Sequence, residues 1–318
     1  MANRGVYFLA NDRIFDLAVA FLNSFRAYNR SIPLCLIPFD GNTNAIESMA
    51  EVYNFTVYTN ADVLRKCDEI SRAFHGRVSG QYRKIAMWEG DFQEFVYIDT
   101  DTVVLESIEF VYDLLPRFGF ITSHSHIPQS RKWVWKDSVQ RSGKLTPDQI
   151  AYAANTGFIV SSTGSLSMDE ARGKVSAARE LAPHMELWCA EQPFLNYLMV
   201  TSGKPYSSLH RIRVESNLQD LPVERWAGRP VGLVRQGRII YPTSPRVFLV
   251  HWAGEWQPAR LDRMLSAAWL MLGLAPRLPG VRLFMRNKRL WRYYRNMRRH
   301  AGTVPVTFPE SGSGPQCS

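Results

Sequence analysis

The sequence predicts an α/β protein built on a mostly parallel sheet. Between Val6 and Ile98, short apolar runs alternate with stretches of helical periodicity. The runs are bounded by turn residues, and 46% of the 318 residues are hydrophobic, enough to bury a large core. Strand and helix alternate in this way where parallel neighbours are joined by helical crossovers.

Val6 to Ala10 is an apolar run ending in Asn11-Asp12, a pair able to cap a following helix. In that helix Ile14, Leu17, Ala18, Phe21, Leu22 and Phe25 recur at three- and four-residue steps and form one apolar stripe. Pro33 to Phe39 reads as a buried strand closed by the turn Asp40-Gly41, with a helix over Asn44 to Tyr53 and a strand at Phe55 to Tyr58. Tyr82 to Glu89 reads as helix and Phe95 to Ile98 as strand, and Phe118 to Thr122 and Gly157 to Val160 are further apolar runs. A polar, Trp-containing insertion, Ser123 to Asn155, separates the last two. Helices over Asp169 to Leu181 and Glu191 to Met199 precede a Pro- and Gly-rich stretch with short strands at Val231 to Val234 and Val247 to Val250.

Cys35, Cys67, Cys189 and Cys317 show no metal-type spacing, and Met1 to Ala10 does not read as a signal peptide, so a reducing, cytoplasmic setting is expected. The longest apolar stretch, Leu265 to Ala275, falls short of the roughly 18 residues that a membrane span requires. The net charge of +9 is local: nine of the 38 basic residues lie between Arg277 and Arg299 with no acid among them, so the other 29 balance the 29 acids. A nucleic-acid partner is therefore not expected.

In Phe95-Val96-Tyr97-Ile98-Asp99-Thr100-Asp101 an apolar strand delivers two carboxylates one residue apart, on one side of an extended chain. Such a pair can grip Mg²⁺ or Mn²⁺ while leaving positions open for phosphate oxygens; it is also an ordinary polar strand end. The same string resembles the nucleophile motif of haloacid-dehalogenase-like phosphatases. That chemistry calls for a second acidic pair, and neither DD nor DxxxD occurs past Thr146.

Four further segments carry a wider resemblance. They are Lys84-Ile85-Ala86-Met87-Trp88, Asn155-Thr156-Gly157-Phe158, Glu191-Gln192-Pro193-Phe194-Leu195-Asn196, and His251-Trp252-Ala253-Gly254-Glu255-Trp256-Gln257-Pro258. Together with the acidic pair they resemble motifs of retaining glycosyltransferases of family 8, the glycogenin and lipopolysaccharide galactosyltransferase type. The resemblance implies the GT-A fold: a mixed, mostly parallel sheet flanked by helices, here over residues 1–260. It also implies transfer of a sugar from a nucleotide-diphosphate sugar, a uridine donor being the usual choice, with retention of configuration.

By the same resemblance Asp99, Asp101 and His251 hold the cation, Lys84 reaches the donor, and Thr100, Gly157 and Gly254 border it. Ala10, Asn11 and Asp12 lie where base and ribose bind. Asn155 contacts the sugar, and Glu191 and Gln192 face the anomeric carbon. The chain departs from the pattern at Glu191 (Asp in the family), at Pro193 (a second acid) and at Gln257 (a Lys that grips the diphosphate). A non-catalytic sugar-nucleotide or glycan-binding module descended from such an enzyme is the remaining alternative.

Residues 261–300 are expected to form a basic helical extension and 301–318 a disordered tail, whose Ser-Gly-Ser-Gly-Pro composition cannot support a core. From Val281 to Arg299 aromatics and Leu alternate with arginines, the composition of a helix lying on anionic lipid. A terminal helix docked on the catalytic domain has the same composition. On the first reading, 277–299 brings the enzyme to a membrane surface and a lipid-linked glycan acceptor, as in surface polysaccharide biosynthesis.

Overall fold

The computed structural model describes residues 3–226, 233–235, 238–240 and 245–251. In chain order, β1 (Arg4–Ala10), α1 (Phe15–Tyr28), β2 (Leu34–Pro38), α2 (Asn44–Glu47), α3 (Ala50–Tyr53), β3 (Thr56–Val57) and α4 (Ala61–His75) lead to a 3₁₀ segment, Gly80–Glu89. Then come β4 (Glu94–Ile98), β5 (Thr102–Val104) and β6 (Phe120–Thr122), followed by an excursion with the short helices α5 (Pro128–Arg131) and α6 (Pro147–Tyr152). After β7 (Phe158–Ser162) follow α7 (Met168–Gly173), α8 (Val175–Leu181), α9 (Gln192–Val200), β8 (Tyr206–Ser208) and α10 (Leu209–Glu215). The last described elements are β9 (Val223–Trp226), β10 (Leu233–Arg235), β11 (Arg238–Ile240) and β12 (Val247–His251).

Seven strands form the main sheet in the order β3-β2-β1-β4-β7-β6-β8. Its β3-β2-β1-β4 half is parallel, while β7 runs antiparallel to both β4 and β6. Alternation along β1 divides the core. Val6, Phe8 and Ala10 face α1 (Ala18, Phe21, Leu22, Phe25), whereas Tyr7 and Leu9 face α4, the 3₁₀ segment and α9. A second sheet, β5-β12-β9, pairs β12 antiparallel to β5 and parallel to β9. The alternation of elements thus predicted the parallel half, and the antiparallel β7 makes the sheet mixed.

Local expectations are corrected at four places. The helix over Asn44 to Tyr53 is split at Ser48-Met49 into α2 and α3, and the helix over Asp169 to Leu181 is split at Lys174 into α7 and α8. Tyr82 to Glu89 belongs to a 3₁₀ segment whose residues Ile85 to Trp88 are all buried, so it carries no single apolar stripe. Asn11-Asp12 does not cap α1. The Asn11 amide donates to Asp40 Oδ2 (2.8 Å), and the Asp12 carboxylate accepts from the backbone N–H groups of Ala45 and Ile46 (both 3.1 Å) at the start of α2.

Among the described residues no helix is long and apolar enough to cross a membrane. Gly254, Gln257, the basic segment 277–299 and the tail 301–318 lie outside the described residues.

Candidate active site

Strand β4 ends at Ile98, and the backbone N–H of Asp99 donates to the carbonyl of Gly157 (2.8 Å) as β7 begins. The chain then turns sharply: the Thr102 hydroxyl donates back to the Asp99 carbonyl (2.7 Å), and the Thr100 hydroxyl to the Leu9 carbonyl of β1 (3.4 Å). β5 starts at Thr102, and its antiparallel register with β12 sets His251 opposite Thr102, beside Asp101. Strand pairing therefore delivers the imidazole from a residue 150 positions downstream of Asp101.

The donor atoms of Asp99, Asp101 and His251 lie within 4.8 Å of one another. His251 Nε2 is 3.1 Å from Asp101 Oδ1 and 3.9 Å from Asp99 Oδ2. The imidazole is 2% exposed, against 27% and 22% for the two carboxylate side chains, so the cluster opens to solvent on its acidic side. Burial alone would lower the pKa of His251, but the charges of Asp101 and Glu224 override it and hold it well above the ordinary range. Two carboxylate oxygens and an imidazole nitrogen converging at this separation suit a divalent cation.

Gly157 forms the wall behind the cluster. A Cβ there would stand 2.3 Å from His251 Cε1 and 2.8 Å from Asp99 Oδ2, so only glycine allows this approach. The side-chain oxygen of Asn155 accepts from the Gly157 N–H (2.8 Å) and fixes the turn into β7.

Lys84 is buried, 3.0 Å from Asp99 Oδ1 and 2.6 Å from Glu191 Oε1, with its ammonium over the Tyr97 ring. Burial disfavours its charge, but the two carboxylates outweigh burial and its pKa is raised. The Tyr97 hydroxyl donates to Asp99 Oδ1 (2.6 Å). Glu191 is pushed upward by burial, with Lys84 acting against that shift. Ala190, just before it, has φ 54° and ψ −115°, a region L-residues rarely occupy, so the backbone entering the site is strained.

Gln192 opens α9. Its side-chain oxygen accepts from the Thr156 N–H (3.2 Å), and its amide donates to the Trp133 carbonyl of the excursion (3.1 Å). Asn196, one turn on, exchanges two hydrogen bonds with the Ala154 backbone (2.7 and 2.9 Å). The structure thus brings Lys84, Asp99, Asp101, Asn155, Gly157, Glu191, Gln192 and His251 into one region. Ala10 sits nearby, at the end of β1 next to β4. Asn11 and Asp12 are engaged with Asp40 and α2 as described.

Sequence reasoning missed three residues. Tyr97 shares strand parity with Asp99, and that signal was present. Glu224 and His124 gave none. Glu224 reaches His251 only through the pairing of β9 with β12, and His124 comes from the excursion, with Nδ1 4.0 Å from Glu224 Oε2.

No family model and no curated protein matches the chain. Solved structures do. The galactosyltransferase LgtC in complex with donor and acceptor sugar analogs aligns with a TM-score of 0.53 at 13% identity, covering 95% of this chain and 98% of that one. An active-site mutant of LgtC aligns at 0.50 with 12% identity, over 83% of this chain and 95% of that one. The apo bifunctional glycosyltransferase WbbM aligns at 0.47 with 12% identity over 81% of this chain, which spans about half (47%) of that protein. At these identities the likeness is one of architecture. Together with the observed sheet order, it shows that the chain has the GT-A fold, the one adopted by the galactosyltransferase LgtC.

Proposed function

We propose that the chain is a divalent-cation-dependent glycosyltransferase that moves a sugar from a nucleotide-diphosphate sugar, a uridine donor, to a glycan or lipid-linked acceptor. The observation that carries this reading is the convergence of Asp99, Asp101 and His251 within 4.8 Å beside the carboxyl ends of β1 and β4. Open α/β sheets bind ligands at such strand ends. The haloacid-dehalogenase alternative loses its footing on the fold, whose architecture is that of LgtC.

Asp99, Asp101 and His251 would hold Mn²⁺ or Mg²⁺, which supplies electrostatic stabilisation of charge developing on a departing nucleotide diphosphate. The other residues act by position. Lys84 ties Asp99 and Glu191 together, and Tyr97 orients Asp99. Gly157 leaves space for the donor against the cluster. Thr156 and Trp133 hold the Gln192 amide in one orientation, and Gln192 with Glu191 lines the face on which retention would be enforced. Asn155 shapes the turn bordering the sugar. Ala10, Asn11 and Asp12 border the base and ribose, the Asp12 carboxylate being held by the start of α2. Gly254 and Gln257, outside the described residues, are assigned to the diphosphate.

The test is a thermal-shift and transfer screen of nucleotide sugars with and without Mn²⁺. A matching donor raises the melting temperature only with metal, because it binds the folded state alone. Asp101→Asn should remove both that shift and transfer while leaving the metal-free melting temperature close to wild type. Substantial metal-dependent turnover in that variant overturns the reading, and donor binding without transfer to any acceptor points to the binding module. The composition of 277–299 supports peripheral contact with anionic lipid in the cytoplasm. Equal flotation of the full chain and one ending at Ala275 on anionic liposomes would remove that part.

A further inference from the structure

Glu224 is the most deeply enclosed carboxylate of the region, its side chain 0% exposed. An ionised carboxylate so far from water is costly unless closely partnered. Its partners are particular. Oε1 accepts from His251 Nδ1 (3.0 Å) and from the Trp226 indole N–H (2.9 Å), and Oε2 faces His124 Nδ1 at 4.0 Å. The β9–β12 pairing sets Glu224 across from Leu249 and Trp226 across from His251, so the carboxylate is held by the same ladder that carries the imidazole.

An imidazole that donates from Nδ1 keeps its lone pair, when neutral, on Nε2. In His251 that nitrogen is the one pointing at Asp101 and Asp99 (3.1 and 3.9 Å). The ring has little freedom to turn, since Glu224 holds Nδ1 and the adjacent Cε1 lies where even a methyl on Gly157 would strike it. We propose that Glu224 is the positioning residue of the cation centre. It fixes the ring orientation of His251 and the tautomer that presents Nε2 to the metal, and Trp226 in turn fixes Glu224. This inference rests on the proposed cation site. It adds an outer carboxylate whose loss should weaken the centre without removing a ligand.

The experiment is a Mn²⁺ titration followed by electron paramagnetic resonance on the full chain and on Asp101→Asn, Glu224→Met and Glu224→Gln. Wild type should bind, and Asp101→Asn should lose most binding. Glu224→Met should bind about 10–100-fold more weakly, the usual loss for a removed outer partner. Glu224→Gln should recover part of that loss, because its amide oxygen can still accept from Nδ1. Unchanged affinity in a folded Glu224→Met overturns the inference and leaves the cation site standing, whereas a wild-type chain that binds no Mn²⁺ overturns both. Should Glu224→Met not fold, ¹⁵N spectra of the His251 ring in wild type loaded with diamagnetic Mg²⁺ decide. Nδ1 protonated with Nε2 metal-bound is expected, and the reverse assignment overturns it.

Discussion

The ammonium of Lys84 lies 2.6 Å from Glu191 and 3.0 Å from Asp99, so one buried cation joins the acid at the start of α9 to the first carboxylate of the candidate metal cluster. Breaking a buried pair from one side leaves a charge without its partner. Lys84→Met is expected to destabilise the fold by about 3–5 kcal/mol. Lys84→Met combined with Glu191→Gln should recover much of that stability, because no lone buried charge remains, yet should not recover transfer. Urea denaturation of the four species of this cycle measures it, and strict additivity would contradict the coupling.

Gly157→Ala places a methyl where His251 Cε1 and Asp99 Oδ2 stand 2.3 and 2.8 Å away. Overpacking of this kind costs about 1–3 kcal/mol. Because the atoms it strikes belong to the cluster, Mn²⁺ affinity should fall at least tenfold while the circular dichroism spectrum is retained. Titration by calorimetry would show it, and wild-type affinity in this variant would mean that Gly157 does not limit the approach.

Much of this site was legible in the sequence because its parts are local patterns. A strand ending in two acids with i, i+2 parity announces a claw, and Gly157 with its Asn neighbour announces a tight entry into a strand. What was not legible depends on long-range pairing. Only the family resemblance pointed to His251, whose approach to Asp101 comes from the register of β12 against β5; the pairing with β9 that brings Glu224 to His251 has no periodicity within Val223–Trp226 to encode it. The splitting of the helices at Ser48-Met49 and Lys174, and the use of Asp12 as a cap for α2 instead of α1, are likewise tertiary choices.

His124 is buried, and burial pushes its pKa down to about 4, with the charge of Glu224 acting in the opposite sense. The unfolded chain takes up a proton near pH 6.5, but the folded chain does not until about pH 4, so this residue costs stability as pH falls across that window. The loss is at most about 3 kcal/mol. His124→Gln should flatten that part of the profile. Urea midpoints at pH 7 and pH 5 on metal-free protein measure it, and parallel profiles for variant and wild type would refute it.

Arg26 is a structural cation remote from the chemistry. Its guanidinium donates to the carbonyls of Tyr53 (2.6 Å), Asn29 (2.9 Å), Arg30 (3.3 Å), Ile32 (2.8 Å) and Asn54 (2.6 Å), knitting the end of α1 to the approaches of β2 and β3. Burial lowers its pKa to about 10, still charged at neutral pH. Arg26→Met strands these acceptors and should cost about 3–5 kcal/mol, with Mn²⁺ affinity unchanged in whatever protein remains folded. Calorimetric unfolding and metal titration together test it, and a loss under 1 kcal/mol would contradict the count of bonds.

The excursion between β6 and β7 departs and returns on neighbouring antiparallel strands, with Thr122 opposite Ile159. Its base stays zipped: His126 N–H bonds to the Tyr152 carbonyl (3.0 Å), Asn155 N–H to the His124 carbonyl (3.3 Å), and Asn196 clamps Ala154. Both ends are therefore anchored about one strand spacing apart, but the stretch between them is no free loop: Val134, Trp135, Val139 and Ile150 are buried in the core with α9, and the Trp133 carbonyl holds the Gln192 amide. A foreign segment joined at that seam would therefore have to rebuild part of the hydrophobic interior, and the support under Gln192, as well as reconnect two strands.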